Sequence, residues 1–292
     1  MGQLKLFDCE VLQEPVNVAS VPMRSPFRYP GGKTWFIPFA RRWLRSLEGQ
    51  VELVEPFAGG GIVSLTACFD GLVKKAVMVE KDEDIAAVWK TILGDDRDWL
   101  IQQIISVEIE LKNVHCLLQR RPHSTRERAF LTILRNRLNH GGILADGAGL
   151  IKQGESGKGL KSRWYPGTLK KRIADIAIIA DRVEFIEGDG FEVMELNSAR
   201  KDVVFFIDPP YTKAGRRLYK YHQIDHEHLF DIVKQIKGDF IVTYDDVPEI
   251  ESMALQRNLD IEKVIMKTTH HLRKYELVIG RDLRWLREML AI

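Results

Sequence analysis

The segment Asp208-Pro209-Pro210-Tyr211 follows directly on an apolar run that ends at Ile207. Two successive prolines fix φ and remove two N–H donors, so the loop presents carbonyl oxygens and the Asp208 carboxylate as hydrogen-bond acceptors. A flat side chain beside those acceptors suits a planar ring that carries an amine and stacks on Tyr211. The segment therefore predicts a site for an aromatic amine. The alternative is a strand-ending turn with a surface tyrosine.

A glycine-rich turn is the second candidate site. A strand predicted over 51–55 runs into the sequence PFAGGG at 56–61, and a helix follows. Beyond the carboxyl end of a parallel strand, the backbone of such a turn lets a cofactor approach closely. Glu80 ends the next apolar run, about 20 positions on, where an acid accepts hydrogen bonds from ribose hydroxyls. The layout predicts a nucleoside-type cofactor. The GGG differs from the GxGxxG of dinucleotide folds, and a tight structural turn is the alternative.

Alternating strand and helix patterns surround these motifs and predict one α/β sheet with an insertion. The run 203–207 is apolar throughout, as expected of a strand covered on both faces. Glycine is dense between 139 and 165, which predicts loops or a hairpin. Strands are predicted over 51–55, 76–80, 183–186, 202–207 and 240–244, with an antiparallel hairpin from 261–268 and 275–279. Helices are predicted over 35–47, from the glycine turn to 68, and over 84–118, 125–138 and 226–236.

Charge is distributed unevenly along the chain. The net charge is only +2, but the stretch 112–172 holds 14 Lys and Arg residues against the three acids Glu127, Asp146 and Glu155. The rest of the chain is therefore acidic. This asymmetry predicts a basic, nucleic-acid-binding module set into an ordinary globular body.

The cysteines and the hydropathy pattern restrict the classes of protein to which this chain can belong. Cys9, Cys68 and Cys116 are widely separated and have no metal-ligand spacing, which predicts reduced thiols, no disulfide framework and no metal site. The sequence has neither a run of about 18 apolar residues nor a signal-peptide pattern. These features predict a soluble, cytoplasmic protein.

Three motifs in a fixed order resemble those of the Dam-type, alpha-class family of DNA adenine-N6 methyltransferases. They are Tyr29-Pro30-Gly31-Gly32-Lys33, Phe57-Ala58-Gly59-Gly60-Gly61 and Asp208-Pro209-Pro210-Tyr211, with the basic insertion between the last two. Weaker similarity is found at 136–142, 243–245 and 276–279, so the resemblance covers about residues 26 to 282. The insertion has no convincing match to the prototype, and the prototype's target sequence is not transferred.

The resemblance implies a fold and a domain arrangement. The expected fold is a Rossmann-like class I methyltransferase, an α/β protein with three αβα layers, a mixed sheet and an antiparallel C-terminal hairpin, plus a mainly helical DNA-recognition insertion. The expected division is an N-terminal arm at 1–25, a catalytic domain at 26–92 and 174–292, and the insertion at 93–173.

The resemblance also implies S-adenosyl-L-methionine as cofactor and a role for each motif. Glu80 would bind the ribose hydroxyls, and the loose element 189–191 would meet the cofactor's adenine edge. The expected catalytic residues are Asp208, Pro209, Pro210 and Tyr211. The expected cofactor-binding residues are Tyr29, Pro30, Gly31, Lys33, Glu55, Pro56, Phe57, Gly59, Gly61, Glu80, Asp189, Gly190 and Phe191.

The basic insertion is the predicted DNA-reading unit. Basic side chains pair with phosphates, and amide side chains reach base edges. The alternative for Arg126, Arg128 and Arg135 is that they only solvate a helix face. The predicted DNA-binding residues are Arg120, Arg121, Arg135, Asn136, Arg137, Asn139, Lys158, Lys161 and Arg163.

The resulting hypothesis is a site-specific enzyme that methylates N6 of an adenine flipped out of double-stranded DNA. The alternatives are methylation of cytosine N4 or of adenine in RNA, and a catalytically silent DNA-binding protein. A dinucleotide oxidoreductase explains neither the DPPY loop nor the basic insertion. The expected source is a bacterium, a phage or a mobile element, with or without a separate cognate restriction endonuclease.

The first residues of the chain contain a further motif. Gln3, Leu4, Leu6 and Phe7 resemble the short linear motif by which bacterial proteins dock onto the sliding clamp. The alternative is a first strand that packs on the body of the protein.

Overall fold

The computed structural model describes residues 16–145, 147–154, 157–212, 218–267 and 273–291. The strands are β1 (Glu52–Glu55), β2 (Lys75–Glu80), β3 (Val183–Glu187), β4 (Val203–Ile207), β5 (Phe240–Asp245), β6 (Asp260–Lys267) and β7 (Arg273–Gly280). The helices are α1 (Ile37–Ser46), α2 (Ile62–Phe69), α3 (Glu83–Leu93), α4 (Arg97–Ser106), α5 (Leu111–Leu118), α6 (Thr125–Leu138), α7 (Pro166–Ala177), α8 (Gly190–Asn197), α9 (His226–Gln235), α10 (Pro248–Gln256) and α11 (Arg284–Leu290).

The seven strands form one mixed sheet in the order β3-β2-β1-β4-β5-β7-β6. Strands β1 to β5 run parallel, and β7 pairs antiparallel with both β5 and β6. The predicted mixed sheet with a C-terminal antiparallel hairpin is confirmed. The direction of winding reverses between β1 and β4, and the crevice beyond the carboxyl ends at such a switch point is where open α/β sheets bind ligands.

Hydrophobic side chains cover both faces of the sheet, which makes the three αβα layers. In β4, Val204 and Phe206 pack on one face, whereas Phe205 and Ile207 pack on the other. Alternate side chains of a strand point to opposite faces, so a continuous apolar run is required here. Helices α1, α2 and α3 lie on the first face, and α8, α9 and α10 on the second.

The predicted insertion is mainly helical, but it has no core of its own. Helix α6 packs against α3, and the buried residues of α4 and α6 belong to the same hydrophobic cluster as α1 to α3. The predicted boundary at 173/174 falls inside α7, where Ile173 and Ile176 are both buried in that cluster. The insertion is therefore a layer added to the sheet domain.

The glycine-dense segment and the N-terminal arm are only partly as predicted. The glycine-dense segment 139–165 contains short 3-10 turns and one antiparallel bridge between Asn139 and Leu150. The predicted arm 1–25 is described only from residue 16. Within it Val21 and Ser25 are buried, so these two positions pack on the body of the protein. None of the described helices has the length and apolar character needed to span a bilayer.

Candidate active site

A cavity of about 1460 Å³ lies beyond the carboxyl ends of β1, β2 and β4. It brings together the PGGK element, the glycine turn and the DPPY loop, which are far apart in the chain. Gly59 and Pro209 are buried but do not line it. The predicted site residues that line it are Tyr29, Pro30, Gly31, Lys33, Glu55, Pro56, Phe57, Gly61, Glu80, Asp189, Gly190, Phe191, Asp208, Pro210 and Tyr211.

The glycine turn between β1 and α2 needs glycine for both conformation and space. Gly59 and Gly61 have φ of +46° and +59°, in the left-handed region that other residues rarely adopt. A Cβ on Gly59 would lie 2.5 Å from the Tyr29 ring, and one on Gly61 would lie 2.7 Å from the sulfur of Met78. The turn therefore packs directly against the PGGK element and β2.

Glu80, at the end of β2, faces the cavity and is tied to this turn. Its Oε2 accepts from the backbone N–H of Gly59 at 2.9 Å, and its Oε1 accepts from that of Asp82 at 2.9 Å. Burial raises the pKa of Glu80 to about 7, although these backbone hydrogen bonds oppose the shift. Because each carboxylate oxygen has more than one lone pair, Glu80 retains acceptor capacity toward hydroxyl groups in the cavity.

Glu55, at the end of β1, is a second buried carboxyl group, with 4% of its surface exposed. Its Oε2 accepts from the backbone N–H of Ser64 at 3.0 Å and from the Ser64 hydroxyl. Burial raises the pKa of Glu55 to about 8. This group is therefore largely protonated at neutral pH and braces the start of α2.

The segment 189–191 closes the cavity at the start of α8. Asp189 caps this helix by accepting from the Phe191 N–H at 2.9 Å, and it also binds Lys81 Nζ at 2.7 Å. A Cβ on Gly190 would lie 2.2 Å from the Pro56 carbonyl oxygen. The Phe191 ring meets Phe57 edge-on at 5.8 Å, so two aromatic rings line this end of the cavity.

Asp208 emerges from the carboxyl end of β4, and its side chain is 20% exposed. Its Oδ1 accepts from Thr243 Oγ1 at 2.9 Å and lies 2.8 Å from Lys33 Nζ. Burial raises the pKa of Asp208, and Lys33 and Thr243 offset part of that shift. Both contacts fall on the same oxygen, and among the described residues no hydrogen bond reaches Oδ2.

The Lys33 ammonium is buried beside the DPPY loop, and Lys33 also lines the cavity. Only 2% of its side chain is exposed, and Nζ donates to the Gly31 carbonyl at 3.1 Å and to Tyr211 Oη. Burial lowers its pKa, but Asp208 and Glu276 outweigh burial and hold the pKa above its usual value. These contacts connect Lys33 to the DPPY loop, and its expected role at the cofactor stays a prediction.

Tyr211 is held at both its ring and its hydroxyl. The hydroxyl donates to Glu276 Oε1 at 2.6 Å, and Lys33 and Lys274 lie 4.8 and 5.6 Å from the ring centroid. Burial and the nearby carboxylates raise the pKa of Tyr211 well above its usual value, so the phenol stays protonated. Glu276 and Thr243 were not among the predicted site residues. Their only sequence signal was weak similarity at 243–245 and 276–279.

Tyr219 is another cavity residue that the motifs did not identify. Its ring stacks on Tyr29 with 5.8 Å between centroids, and its hydroxyl donates to the Pro30 carbonyl at 2.9 Å. It therefore connects the segment after the DPPY loop with the PGGK element. The available signal was an aromatic side chain a few residues after DPPY. Its contact with the PGGK element could not be predicted, because that element is far away in the sequence.

Three of the predicted DNA-binding residues are buried, with at most 7% of their surface exposed. Asn136 exchanges hydrogen bonds with the Arg28 backbone and donates to the Gly142 carbonyl. Arg137 donates to the Pro26 carbonyl, and Asn139 to that of Ile143. The structure contradicts the prediction that Asn136, Arg137 and Asn139 contact DNA, because all three are buried and donate to backbone carbonyls of the protein.

The other predicted DNA-binding residues remain available at the surface to different degrees. Arg135 is half-buried and donates to the Leu118 carbonyl, and Arg163 is also half-buried. Arg126 and Arg128 form ion pairs with acidic partners, in keeping with the alternative of a solvated helix face. The exposed members of the predicted set are Arg120, Arg121, Lys158 and Lys161.

An arginine cluster that the motifs did not predict lies where the insertion meets the N-terminal element. Burial, together with the charges of Arg172, Arg28 and Arg163, lowers the pKa of Arg137 to about 9. The pKa of Arg28 is lowered by burial and by Arg163, and its buried Nη1 has no hydrogen-bond partner among the described residues. Because Arg28 also lines the cavity, this cluster places positive charge at one edge of it.

The sequence profile of the family described as D12 class N6 adenine-specific DNA methyltransferase matches residues 29–271 of this chain. This match includes all three motifs and the basic insertion. No curated protein matches the sequence.

The comparison with solved structures found methyltransferases at low sequence identity. An S-adenosylmethionine-dependent methyltransferase from Agrobacterium tumefaciens is 8% identical, with a TM-score of 0.40, over 85% of this chain and 60% of its own. TrmK of M. capricolum, solved with S-adenosylhomocysteine, is 8% identical, with a TM-score of 0.37, over 84% and 68%. The tRNA methyltransferase TrmK of B. subtilis is 10% identical, with a TM-score of 0.35, over 83% and 64%.

Proposed function

We propose, from the premise that this chain belongs to the D12 class N6 adenine-specific DNA methyltransferase family, that it methylates N6 of an adenine flipped out of double-stranded DNA. Membership makes S-adenosylmethionine the methyl donor. The observation that supports the proposal best is the shared cavity, in which the Asp208 carboxylate and the glycine turn face one space. A carboxylate acceptor next to a nucleoside-type site is the arrangement that amine methylation requires.

The residues that line the cofactor end fit this donor. Glu80 presents acceptors for the two ribose hydroxyls, and Phe57 and Phe191 offer apolar surface to a flat adenine ring. Gly61 leaves room where a side chain would collide with Met78. When bound, S-adenosylmethionine supplies an electrophilic methyl group on a sulfonium centre. We assign Tyr29, Pro30, Gly31 and the segments 55–61 and 189–191 to the same pocket.

Asp208 and the DPPY backbone act on the target amine. The N6 lone pair of adenine is delocalised into the ring, which makes the amine a weak nucleophile. Asp208 accepts one hydrogen of this amine and draws the nitrogen toward a tetrahedral geometry. The Pro209 carbonyl, which does not line the cavity, is the expected second acceptor once the base is bound. N6 forms a bond to the methyl carbon as the sulfur–carbon bond breaks, and N6 then releases one proton to Asp208 or water. Positioning and electrostatic complementarity supply most of the acceleration.

DNA binding is assigned to the basic side of the cavity. A flipped base leaves the duplex at a cost of a few kcal/mol, and stacking on an aromatic side chain offsets about 1–3 kcal/mol of it. Tyr211 is the proposed stacking partner. The arginine-rich rim at Arg28 and the exposed Arg120, Arg121, Lys158 and Lys161 are the proposed phosphate contacts, together with Arg135 and Arg163.

Three expectations about partners and location stay predictions. The clamp-docking motif Gln3, Leu4, Leu6 and Phe7 lies outside the described residues. A separate cognate restriction endonuclease and a cytoplasmic location, in a bacterium or with phage or mobile-element DNA, follow only from the proposed activity on DNA.

The test measures transfer of labelled methyl groups from S-adenosylmethionine into duplex DNA and RNA, followed by nucleoside analysis. The expected product is N6-methyladenine in DNA alone. Label in cytosine or in RNA would contradict the proposal and favour the alternatives that the same amine-accepting loop permits.

The Asp208→Ala variant tests the catalytic assignment. Turnover should be abolished, because the target amine loses its acceptor, whereas binding of S-adenosylmethionine and of duplex DNA should largely persist. Calorimetry measures the binding of S-adenosylmethionine to this variant, and titrations measure its binding to duplex DNA. Full activity in this variant would remove Asp208 from the mechanism.

A further inference from the structure

Glu276 is a buried carboxyl group at the active site to which the chemistry above assigns no role. It lies on β7, with 2% of its surface exposed, directly across from Asp245 of β5. It contacts Tyr211 through Oε1 and lies 3.5 Å from Lys33 Nζ through Oε2. Lys33 contacts Asp208 of the DPPY loop, and Tyr211 belongs to that loop. Glu276 therefore contacts the loop directly at Tyr211 and indirectly through Lys33.

The hydrogen bonds of Lys33 show which interaction is left for Glu276. An ammonium has three N–H donors. Those of Lys33 have acceptors at Gly31, Tyr211 and Asp208. Glu276 Oε2 lies 3.5 Å from Lys33 Nζ and forms no well-aligned hydrogen bond with the described residues, so its interaction with Lys33 is mainly electrostatic.

The charges of Lys33, Asp208 and Glu276 show what this interaction does. One buried ammonium lies between two carboxylates, Asp208 and Glu276. If Glu276 were neutral, Asp208 would be the only counter-ion of Lys33 and would be bound more tightly by it. A carboxylate committed in this way is a weaker acceptor for a substrate amine. Glu276 therefore limits how strongly Lys33 competes with the target amine for Asp208.

We propose that Glu276 is a positioning residue for methyl transfer, which anchors Lys33 and Tyr211 so that Lys33 holds Asp208 by Oδ1 and leaves Oδ2 for the target amine. The proposal rests on the proposed function. It assigns to the C-terminal hairpin a share in the chemistry, because β7 brings this carboxylate to the carboxyl end of β5.

The Glu276→Gln variant tests the proposal, since the amide keeps the shape and removes the charge. Its kcat should fall roughly 10- to 100-fold, as expected when a reacting group is misplaced, while KM for S-adenosylmethionine stays within about twofold. In a Lys33→Met background the same substitution should change the single-turnover rate by less than about twofold, because the Gln amide oxygen can still accept from Tyr211 and the lost charge acts through Lys33. A kcat within about twofold of wild type, or an equal loss in both backgrounds, would overturn the proposal.

Asp245→Asn is the matched control. Asp245 is a buried carboxylate in the paired position on β5, and it accepts from Thr212 Oγ1 at 3.1 Å without contacting Lys33. Its effect on the rate should be the same factor in the Lys33 and Lys33→Met backgrounds. Coupling of Asp245 to Lys33 as strong as that of Glu276 would also overturn the assignment.

Two further measurements keep the proposal testable if the Glu276→Gln variant does not fold or if the proposed function is wrong. If Glu276→Gln alone does not fold, Lys33→Met is compared with Lys33→Met/Glu276→Gln, in which no buried ammonium is left unpaired; a further tenfold loss in the double variant contradicts the proposal. In a crystal structure of the Asp208→Asn protein, Lys33 Nζ should stay within 3.5 Å of Glu276. A lysine turned away from Glu276 overturns the proposal whether or not the protein methylates DNA, whereas a wild type that methylates no DNA overturns only the proposed function.

Discussion

Glu80 illustrates how a single side chain serves both the fold and the ligand. Its two backbone hydrogen bonds hold the glycine turn and the start of α3 in place, and its remaining lone pairs face the cavity. Burial opposes ionisation, which puts its pKa at about 7, within the physiological range. Cofactor binding should therefore be sensitive to pH in a range where ordinary carboxylates are not.

We expect the affinity for S-adenosylmethionine to fall as pH is lowered through 7. The raised pKa favours the protonated form in the free protein, and protonation removes acceptor capacity for the ribose hydroxyls. The affinity should approach a loss of roughly tenfold per pH unit well below the pKa. Calorimetric titration between pH 6 and 8 measures this.

Two variants show whether Glu80 or another group causes the pH dependence of the affinity for S-adenosylmethionine. Glu80→Gln should bind weakly with a flat pH profile. Glu83→Gln removes a neighbouring carboxylate that pairs with Lys220 and should retain the wild-type profile. An unchanged profile in Glu80→Gln would assign the titration to another group.

At the scale of elements, the active site depends on how closely loops approach one another at the strand ends. The turn after β1 and the start of α8 touch where Gly190 meets the Pro56 carbonyl. A Cβ 2.2 Å from a backbone oxygen cannot be accommodated by a side-chain rotation. The spacing between the two loops is thus fixed by the absence of a side chain, and the aromatic pair Phe57 and Phe191 depends on it.

Gly190→Ala should lower stability by about 1–3 kcal/mol and weaken cofactor binding, because α8 must move away from the turn. Chemical denaturation and calorimetric titration check these effects. Gly188→Ala is the matched control, since a Cβ there would meet only Ile186 Cγ2 at an ordinary 3.5 Å. Equal losses in the two variants would show that packing against Pro56 is not what fixes the loop.

At the scale of the whole molecule, the insertion and the N-terminal element are joined into one rigid rim. Asn136 of α6 binds the backbone N–H and carbonyl of Arg28 at 2.8 and 3.0 Å, and Arg172 of α7 donates to the Ser25 carbonyl. These contacts place the arginine cluster beside the cavity. The residues first expected to read DNA instead position the surface that is proposed to bind it.

Asn136→Ala should reduce the free energy of unfolding by roughly 2–4 kcal/mol, because it leaves the buried N–H of Arg28 without an acceptor. DNA affinity should fall with it, since Arg28 and α6 lose their connection. Asn113→Ala, which removes one exposed hydrogen bond to the Glu108 carbonyl, should cost less than about 1 kcal/mol. A small stability change in Asn136→Ala would contradict the joining role.

Much of the sheet and both ligand motifs were accessible from the sequence, because their signals are local. The apolar run of β4, the glycine turn and the DPPY loop each occupy a few consecutive residues, and apolar periodicity located most of the other strands. Helices α7, α8, α10 and α11 were not predicted. Of these, α8 and α10 are at most nine residues long and begin after a capping residue or at a proline, with little apolar periodicity.

The amino-acid pattern by itself determined the class of fold and the positions of the glycine turn and the DPPY loop, because each depends on backbone conformation and on residues close together in the chain. Only the tertiary structure decided which side chains meet. Lys33 and Tyr211 are 178 positions apart, and Tyr211 and Glu276 are 65 apart. Asn136 and Arg28 are separated by 108. Contacts of this kind depend on how strands are ordered in the sheet and on how helices pack across it, and no periodicity in one segment encodes its partner in another.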